Sequence, residues 1–371
     1  MNISQTIFEE CTDDLGPEKI IHIYEPVAKL RAIVVIDNAA AGPAIGGVRM
    51  ALDVTTTEIM RLARAMTLKN AAAGLPHGGG KAGIIADPKV GGKEGLMRTF
   101  ARAIESLRDY TPGPDMGTDE SCMAYIFDEI KRAVGLPRVL GGIPLDEIGA
   151  TGFGVAECAE VAKEYINLDL NGAKLVVEGF GNVGKNAARF LEEKGAILVA
   201  ASDTRGTVYN KDGLNVSGLI QVKEEKGSVT YYKDAEKLKT KDLIKIPGDI
   251  FVPAARPDVI DERNVSTLNT KLIIQGANIA ITIGAEKALH KRGVLSVPDF
   301  IANAGGVIAA AVEYRHGGEK EAFSEIKSKI IANTKEILDK TYNEGLYPRD
   351  SAEMIAKERV LSAMRYRKHI I

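Results

Sequence analysis

Two lysines and one aspartate stand where their side chains could move protons. Lys81 follows three consecutive glycines, and Lys69 lies twelve residues earlier on a segment with helical apolar spacing. Asp115 lies in a Pro- and Gly-rich loop, too early to cap the helix predicted after it. A lysine and an aspartate that face one pocket form an acid–base pair, in which one group activates water and the other relays protons. These three residues define the candidate chemistry.

Each of these positions also has an interpretation without chemistry. The glycines at 78–80 can form a surface turn that leaves Lys81 in water, because glycine suits unusual backbone angles as well as close approach of a ligand. Lys69 ends an apolar stripe, where a lysine often extends to solvent. The Gly-rich segment 41–50 predicts either a tight hairpin or a loop that admits a ligand.

A glycine motif in the second half of the chain indicates dinucleotide binding. A strand predicted over residues 174–178 is followed at once by G-x-G-x-x-G spacing and then by a helix. The next predicted strand ends at Asp203, about twenty residues after the motif, where a carboxylate can hold ribose hydroxyls. The candidate cofactor-binding residues in this unit are Gly179, Phe180, Gly181, Asn182, Val183, Gly184 and Asp203.

Three further strands are predicted at residues 249–252, 271–275 and 294–297, and each is followed by small or polar residues. In an open α/β sheet the ligand lies beyond the carboxyl ends of the strands. Asn278 and Asn303 are therefore candidates for the nicotinamide end of the cofactor. Turn formation is the alternative role for each asparagine.

Length and composition exclude several classes of protein. A chain of 371 residues predicts two domains, and 45% hydrophobic with 26% charged residues is typical of a globular protein. A formal net charge of −2 gives no reason to expect nucleic acid or an anionic membrane as a partner. No apolar run reaches the roughly 18 residues of a membrane helix. Residues 1–5 do not begin a signal peptide, so a cytoplasmic protein is expected.

The cysteines and histidines give no indication of a metal site. The three cysteines, Cys11, Cys122 and Cys158, are an odd number and lack metal-ligand spacing. The five histidines lie far apart in the sequence. We expect reduced cysteines and no bound metal.

Taken together, these motifs resemble the glutamate/leucine/phenylalanine/valine dehydrogenase superfamily over nearly the whole chain. The segments that carry the resemblance are 67–70 (TLKN), 78–81 (GGGK), 87–88 (DP), 114–118 (PDMGT), 150–152 (ATG), 179–184 (GFGNVG) and 298–307 (PDFIANAGGV). The resemblance implies an α/β fold of two domains with an active-site cleft between them. A substrate and assembly domain would span residues 1–146 with returning helices at 335–371, and a Rossmann-type dinucleotide-binding domain would span 147–334.

The resemblance also implies an activity and roles for individual residues. The reaction would be the reversible NAD(P)-dependent oxidative deamination of an L-amino acid to a 2-oxo acid and ammonia. By this similarity Lys69 binds the α-carboxylate, Lys81 activates the attacking water and Asp115 shuttles protons to the amine. The residues that would position the nicotinamide are Thr151, Asn278 and Asn303. Members assemble as oligomers, so a homo-oligomer is expected, with a hexamer favoured.

Two positions depart from the glutamate-specific pattern of this family. Glutamate-specific members carry a lysine before the paired glycines, Gly46 and Gly47, and a serine in the segment after NAGGV. Here these positions hold Ile45 and Ala310, and Met66 is similar to the leucine and phenylalanine enzymes. Burying an unpaired polar group costs about 1–3 kcal/mol, and burying a charge costs more. An apolar, branched-chain amino acid is therefore predicted; the alternative is a glutamate dehydrogenase with an atypical pocket.

The preferred cofactor is predicted from two residues with opposite effects. Asp203 should repel a 2′-phosphate, which favours NAD, whereas Arg205 could accept one. We expect NAD, with NADP or dual use as alternatives.

Two other classes of protein compete with this interpretation. A nucleotide-binding regulatory protein without chemistry is disfavoured because Lys69, Lys81 and Asp115 are all present. A 2-hydroxyacid dehydrogenase needs a histidine–carboxylate pair, and His77 is expected to be only a turn residue.

Overall fold

The computed structural model describes residues 12–89 and 91–367, and this part of the chain forms two compact units. The first unit contains the chain up to Pro144, Val307–Ala322 and the chain from Glu353. The second contains Leu145–Gly306 and Phe323–Ala352. The expectations for residues 1–5 and for Cys11 fall outside the described residues.

A five-stranded mixed sheet forms the centre of the first unit. Its strands are β1 (Lys19–Glu25), β2 (Leu30–Asn38), β3 (Ala44–Ala51), β4 (Gly78–Ile85) and β5 (Tyr110–Pro114). Their order in the sheet is β1-β2-β4-β3-β5. β2 is antiparallel to both of its neighbours, whereas β4, β3 and β5 run parallel to one another. The strands that carry the candidate catalytic residues, β4 and β5, therefore lie on either side of β3 and run parallel to it.

Helices cover both faces of this sheet. They are α1 (Thr56–Ala72), α2 (Lys93–Ala103) and α3 (Glu120–Ile130). Leu30, Val34 and Ile36 of β2 belong to the core that contains residues of α2 and α3, whereas Ile33 and Val35 pack with residues of α1. Alternate residues of a strand face opposite sides, so a strand covered on both faces has a continuous apolar sequence. This apolar run is the signal that predicts β2.

Two glycine-rich segments are strands rather than turns, so the hairpin predicted in 41–50 and the surface turn at 78–80 are wrong. A Cβ added to Gly79 would lie 2.0 Å from the backbone nitrogen of Thr67 in α1. A Cβ on Gly80 would lie 2.9 Å from the ring of Tyr110 in β5. Glycine is present here because the helix and the strands approach too closely for a side chain.

The second unit contains a seven-stranded sheet. Its strands are β6 (Lys174–Glu178), β7 (Ile197–Asp203), β8 (Gly206–Tyr209), β9 (Glu236–Leu238), β10 (Ile250–Pro253), β11 (Leu272–Ile274) and β12 (Leu295–Val297). The order is β12-β11-β10-β6-β7-β8-β9, in which the first five strands are parallel and the last two form an antiparallel edge. The chain changes direction across the sheet between β6 and β10, and such a switch point is where open α/β sheets bind ligands.

The remaining helices are α4 (Leu145–Ile148), α5 (Ala150–Ala162), α6 (Asn182–Glu193), α7 (Val216–Lys226), α8 (Ile283–Lys291), α9 (Asp299–Ala302), α10 (Gly305–Tyr314), α11 (Glu319–Glu344) and α12 (Pro348–Tyr366). The division of α10 to α12 between the units differs from the expected boundaries at 334 and 335. Glu313 of α10 accepts hydrogen bonds from backbone nitrogens of the first unit, at Leu136 and Ile143. Phe323 of α11 packs against Phe153 in the second unit. Each of these contacts joins distant parts of the sequence within one unit.

None of the helices that the structure describes is long and apolar enough to cross a bilayer. Within residues 12–89 and 91–367, no group of three or more His, Cys, Asp or Glu side chains could hold a metal ion. Cys122 and Cys158 are free thiols, and both are buried.

Candidate active site

Lys81 and Asp115 form an ion pair across three adjacent strands of the first unit. Lys81 Nζ lies 3.0 Å from Asp115 Oδ2, and the lysine side chain is only 9% exposed. Lys81 belongs to β4, and Asp115 directly follows β5. The central strand β3 lies between them, with Val48 paired to Ala82 on one side and to Pro114 on the other. The predicted acid–base pair is thus assembled by strand register.

Gly47 of β3 leaves the space in which this ion pair forms. A Cβ at this position would lie 2.7 Å from the Cβ of Asp115 and 3.2 Å from Lys81 Nζ. The neighbouring Gly46 is also required, because an added Cβ would lie 1.6 Å from the carbonyl oxygen of Gly80. Gly47 therefore leaves room for the ion pair, and Gly46 lets β3 lie directly against β4.

Arg49 is a second cation beside Asp115 that the sequence analysis missed. Its Nε lies 3.1 Å from Asp115 Oδ2, and its guanidinium also binds Glu58. Burial raises the pKa of Asp115, but the charges of Lys81 and Arg49 outweigh burial, so the net pKa lies below its ordinary value. Arg49 lies two residues after Gly47, and residues i and i+2 of a strand share a face; this spacing could have identified it.

Helix α1 carries two of the predicted substrate-binding residues. Thr55 caps the helix by accepting a hydrogen bond from the backbone nitrogen of Glu58. Lys69 and Met66 lie in the last two turns, and both are partly buried. The close contact between α1 and Gly79 fixes the helix against β4, the strand that carries Lys81.

The structure places the two positions that depart from the glutamate pattern in the first unit as well. Ile45 is 5% exposed and pairs with Gly79 of β4 and with Thr111 of β5. Ala310 is buried in α10.

The glycine motif of the second unit has the geometry of a dinucleotide cradle. Gly179 adopts a φ of +88°, and a Cβ on Gly184 would lie 2.1 Å from the carbonyl oxygen of Gly179, so α6 packs tightly on the strand. Gly181 has open space where a Cβ would lie, and no side chain caps α6 at this residue. The free amides of Asn182 and Val183 can therefore face a pyrophosphate group. Phe180 is buried, and its backbone nitrogen bonds to Ser202.

A pocket of 560 Å³ lies at the carboxyl ends of β6, β7 and β10. It is lined by residues 178–181, 202–204 and 254–256, together with Lys223 and Thr240. This is the sheet's switch point, so the pocket is where a dinucleotide fits the fold.

The carboxylate of Asp203 already has four partners within the protein, which the prediction of a ribose-binding residue did not anticipate. Oδ1 accepts from the backbone nitrogen of Arg205 and from Ser228 Oγ, and Oδ2 accepts from Lys223 Nζ and the backbone nitrogen of Val229. A carboxylate offers about four acceptor positions, so a ribose hydroxyl would have to displace one partner. Lys223, at 2.7 Å, also offsets the charge expected to repel a 2′-phosphate. Ribose binding by Asp203 remains a prediction.

Asn278 and Asn303 are brought together, as expected for two residues that serve one ligand group. Asn303 Nδ2 donates to Asn278 Oδ1 over 2.9 Å. Asn303 Oδ1 is buried and has no hydrogen-bond partner among the described residues. An unsatisfied buried acceptor favours a ligand that donates a hydrogen bond, and the carboxamide of a nicotinamide is such a donor.

Thr151 lies in the first turn of α5, next to the start of α10. A Cβ on Gly306 would lie 3.2 Å from Thr151 Oγ1. Gly306 follows Asn303 by three residues, so Thr151 lies in space beside the segment that carries Asn303.

The fold and these residues together define a class of protein. A parallel sheet with a glycine cradle at its switch point, and a buried lysine–aspartate pair on the other unit, are features of a nicotinamide-dependent oxidoreductase.

Comparisons with known proteins identify the family within this class. Residues 141–368 match the family model described as Glutamate/Leucine/Phenylalanine/Valine dehydrogenase. Residues 18–132 match the model of the Glu/Leu/Phe/Val dehydrogenase dimerisation domain. The chain therefore belongs to the Glu/Leu/Phe/Val dehydrogenase family, and the resemblance found in the sequence is confirmed.

Individual relatives agree with this assignment. The chain is 40% identical over 357 residues to a glutamate dehydrogenase of Aeropyrum pernix, which covers 89% of this chain and 85% of that protein. It is similar to the crystal structure of a hetero-hexameric glutamate dehydrogenase from Thermus thermophilus in a leucine-bound form, with a TM-score of 0.86 and 28% identity over 96% of this chain and 91% of that one. An L-tryptophan dehydrogenase from Nostoc punctiforme gives a TM-score of 0.76 and 26% identity, and covers 98% and 100% of the two chains.

The protein is an NAD(P)-dependent amino-acid dehydrogenase that acts on a CH–NH2 group. Relatives named NADP-specific and NAD-specific glutamate dehydrogenases both match it, so the use of NAD or NADP is supported.

Proposed function

We propose that the chain catalyses the reversible oxidative deamination of L-glutamate to a 2-oxo acid and ammonia. The observation that carries this proposal is the 3.0 Å contact between Lys81 and Asp115, because it joins a proton donor and a proton acceptor beside Gly47, where no side chain intervenes. Glutamate is favoured as the substrate because the relative with 40% identity is named for it.

Each proton in this reaction has a group to carry it. A nicotinamide bound by the second unit would supply the acceptor for the hydride that leaves the substrate Cα. Asp115, held as a carboxylate by its two cations, accepts a proton from the substrate ammonium so that the nitrogen can form an imine. Lys81 orients the water that adds to the imine carbon and passes the protons that this water loses to solvent. Asp115 gives its proton to the nitrogen, so the C–N bond breaks and ammonia leaves as the carbonyl forms. Positioned acid–base groups of this kind contribute about 10²- to 10⁴-fold in rate.

The remaining predicted residues receive binding roles in this proposal. Lys69 would bind the substrate α-carboxylate by charge, from the end of α1. Gly181 and the amides of Asn182 and Val183 would hold the pyrophosphate. The group that would bind the nicotinamide is Thr151, Asn278 and Asn303.

We infer separate tasks for the two units. The first would bind the amino acid and form the assembly, and the second would bind the dinucleotide. We expect a homo-oligomer in the cytoplasm, with a hexamer favoured; light scattering that gives the mass of one chain would contradict the assembly.

An apolar amino acid is the second candidate substrate, and specific residues favour it. Ile45 is buried where the glutamate-specific pattern has a lysine, and Met66 and Ala310 add apolar surface at the predicted side-chain pocket. A γ-carboxylate there would need a cation from elsewhere to offset its desolvation.

A substrate panel distinguishes these two candidates. Initial velocities are measured with L-glutamate, leucine, valine, isoleucine and phenylalanine, each with NAD and with NADP. A kcat/KM for glutamate at least about tenfold above every apolar amino acid supports glutamate, since a tenfold difference corresponds to about 1.4 kcal/mol of transition-state binding. The reverse order overturns it and supports the apolar candidate. The variant Ile45→Lys sharpens the result, because it should raise glutamate activity only if the wild-type pocket lacks a cation.

A further inference from the structure

Ile279, the residue after Asn278, holds an unusual backbone conformation. Its φ is +52°, and its side chain is 52% exposed. The left-handed region is disfavoured for L-residues and especially for β-branched ones. Such strain persists only where surrounding contacts impose it, and it is concentrated at functional sites.

Two hydrogen bonds impose this conformation on Ile279. Its backbone nitrogen donates to Asp299 Oδ2 over 2.8 Å, and its carbonyl oxygen accepts from the backbone nitrogen of Asp258 over 2.9 Å. Asp299 is 6% exposed, so its carboxylate is a buried acceptor held in the first turn of α9.

Arg349, at the start of α12, binds the other oxygen of Asp299. Its Nη2 lies 2.9 Å from Asp299 Oδ1, while its Nε and Nη2 also bind Glu286. The guanidinium lies over the ring of Phe300, 5.6 Å from its centre. A planar guanidinium can serve two carboxylates at once, which an ammonium group cannot do with the same geometry.

Asp299 is connected to both asparagines that are proposed to meet the nicotinamide. Through its side chain it fixes Ile279 and hence Asn278; through its carbonyl oxygen it accepts the backbone nitrogen of Asn303 over 2.8 Å. Asn303 Nδ2 then donates to Asn278 Oδ1 and to the carbonyl oxygen of Gly276. This arrangement uses the donors of Asn303 and leaves its Oδ1 as the unsatisfied acceptor.

We propose that Arg349 is a positioning residue for the nicotinamide carboxamide and acts through the backbone of Ile279. The Arg349–Asp299 ion pair holds the strained peptide at Ile279, and that peptide orients the Asn278–Asn303 pair so that Asn303 Oδ1 can accept a hydrogen bond from the cofactor. The inference rests on the proposed cofactor role of these two asparagines. Without Arg349, the strain at Ile279 would relax and move Asn278.

The test compares two ligands that differ only in the nicotinamide ring. Binding of NADH, or of NADPH if the enzyme reduces NADP, is measured by fluorescence titration; binding of ADP-ribose, or of its 2′-phosphate, is measured by displacement. For Arg349→Met we expect the dissociation constant of the reduced cofactor to rise at least tenfold, with less than threefold change for ADP-ribose. If the first variant does not fold, Arg349→Lys replaces it, because lysine keeps the charge. Its dissociation constant for the reduced cofactor should rise by a smaller factor, again with little change for ADP-ribose.

The double variant Arg349→Met/Ile279→Gly tests the role of strain. Glycine adopts positive φ freely, so it should remove the force that displaces Asn278 and recover at least half of the lost affinity on a logarithmic scale. Ile279→Gly alone should raise the Tm, because glycine relieves the strain at this position. Lys29→Gly is the matched control, because Lys29 is exposed and has a φ of +55° in the turn before β2; it should raise the Tm and rescue nothing.

The outcomes separate this inference from the function beneath it. Equal loss of NADH and ADP-ribose affinity in Arg349→Met, or no rescue by Ile279→Gly, overturns the positioning role. If Asn303→Ala binds NADH as wild type does, the nicotinamide role of the asparagines fails, and this inference fails with it. If Asn303→Ala loses affinity for NADH but not for ADP-ribose, while the Arg349 variants bind both as the wild type does, only the positioning role is overturned.

Discussion

The two groups of candidate residues are built in opposite ways. Lys81 and Asp115 lie on either side of β3 in a sheet covered on both faces, and a Cβ added to Gly47 between them would lie 2.7 Å from Asp115. The dinucleotide residues lie on loops at strand ends, where Gly181 faces open space. A side chain added at Gly47 meets the protein, whereas one added at Gly181 meets no protein atom within 4 Å. Substitutions in the first group should therefore lower turnover, whereas Gly181→Ala in the second should weaken dinucleotide binding.

The largest effect is expected for Asp115→Asn. The amide cannot accept the substrate proton, so kcat should fall about 10³-fold while dinucleotide binding changes little. Asp119→Asn is the matched control four residues away, because Asp119 caps α3 and asparagine caps a helix equally well. Steady-state kinetics on both variants make the test; equal loss in the two would remove Asp115 from the mechanism.

Gly47→Ala tests whether packing sets the catalytic geometry. The added Cβ must displace Asp115 or the backbone at Pro114, and a shift of 1 Å can cost about 10²-fold in rate. Gly95→Ala in α2 has no atom within 4 Å of the new Cβ and should keep full activity with an equal or higher Tm. Normal turnover in Gly47→Ala would show that the ion pair tolerates displacement.

Gly181→Ala and Gly184→Ala sharpen the contrast within the dinucleotide cradle. Gly181→Ala should keep the Tm of the wild type but weaken NADH binding by about tenfold or more, since the methyl group occupies the space of the pyrophosphate. Gly184→Ala should lower the stability by about 1–3 kcal/mol, because its Cβ would lie 2.1 Å from Gly179. Thermal unfolding and fluorescence titration separate the two. If Gly181→Ala and Gly184→Ala change the Tm and the NADH affinity alike, the open space at Gly181 does not bind the pyrophosphate.

Arg49→Gln should alter the pH dependence and little else. Arg49 helps to keep the pKa of Asp115 below its ordinary value, against the effect of burial. Without it the pKa rises, so a larger fraction of Asp115 is protonated at acidic pH and the acid limb of kcat/KM moves to higher pH. The alkaline plateau is the internal reference. An acid limb that stays in place would show that Arg49 does not act on the catalytic carboxylate.

The dinucleotide unit could be predicted in most of its elements because its signals are local. The glycine motif, the strand at Lys174–Glu178 and the helix after it lie within one short stretch of sequence, and each glycine has a fixed task. The partners of Asp203 were missed because Lys223 and Ser228 reach it from twenty or more residues away.

The sequence identified the candidate catalytic residues but could not predict how they contact one another. Gly47, Lys81 and Asp115 meet only through the register of three strands, which no local pattern specifies. The surface turn considered for the glycines before Lys81 was wrong because their close contact with α1 is a tertiary one. Arg349 and Asp299 are fifty residues apart, so their ion pair has no local signal either.

The central claim is that Lys81 activates the attacking water, while the dinucleotide binds to the other unit. The direct measurement compares Lys81→Ala with the wild type, for turnover of the amino acid that the wild type uses best and for NADH affinity. Lys89→Ala is the control, because Lys89 is exposed. The account predicts a loss of about 10³-fold in kcat with NADH affinity unchanged, and wild-type values for Lys89→Ala. Wild-type turnover in Lys81→Ala with every amino acid tested would contradict it.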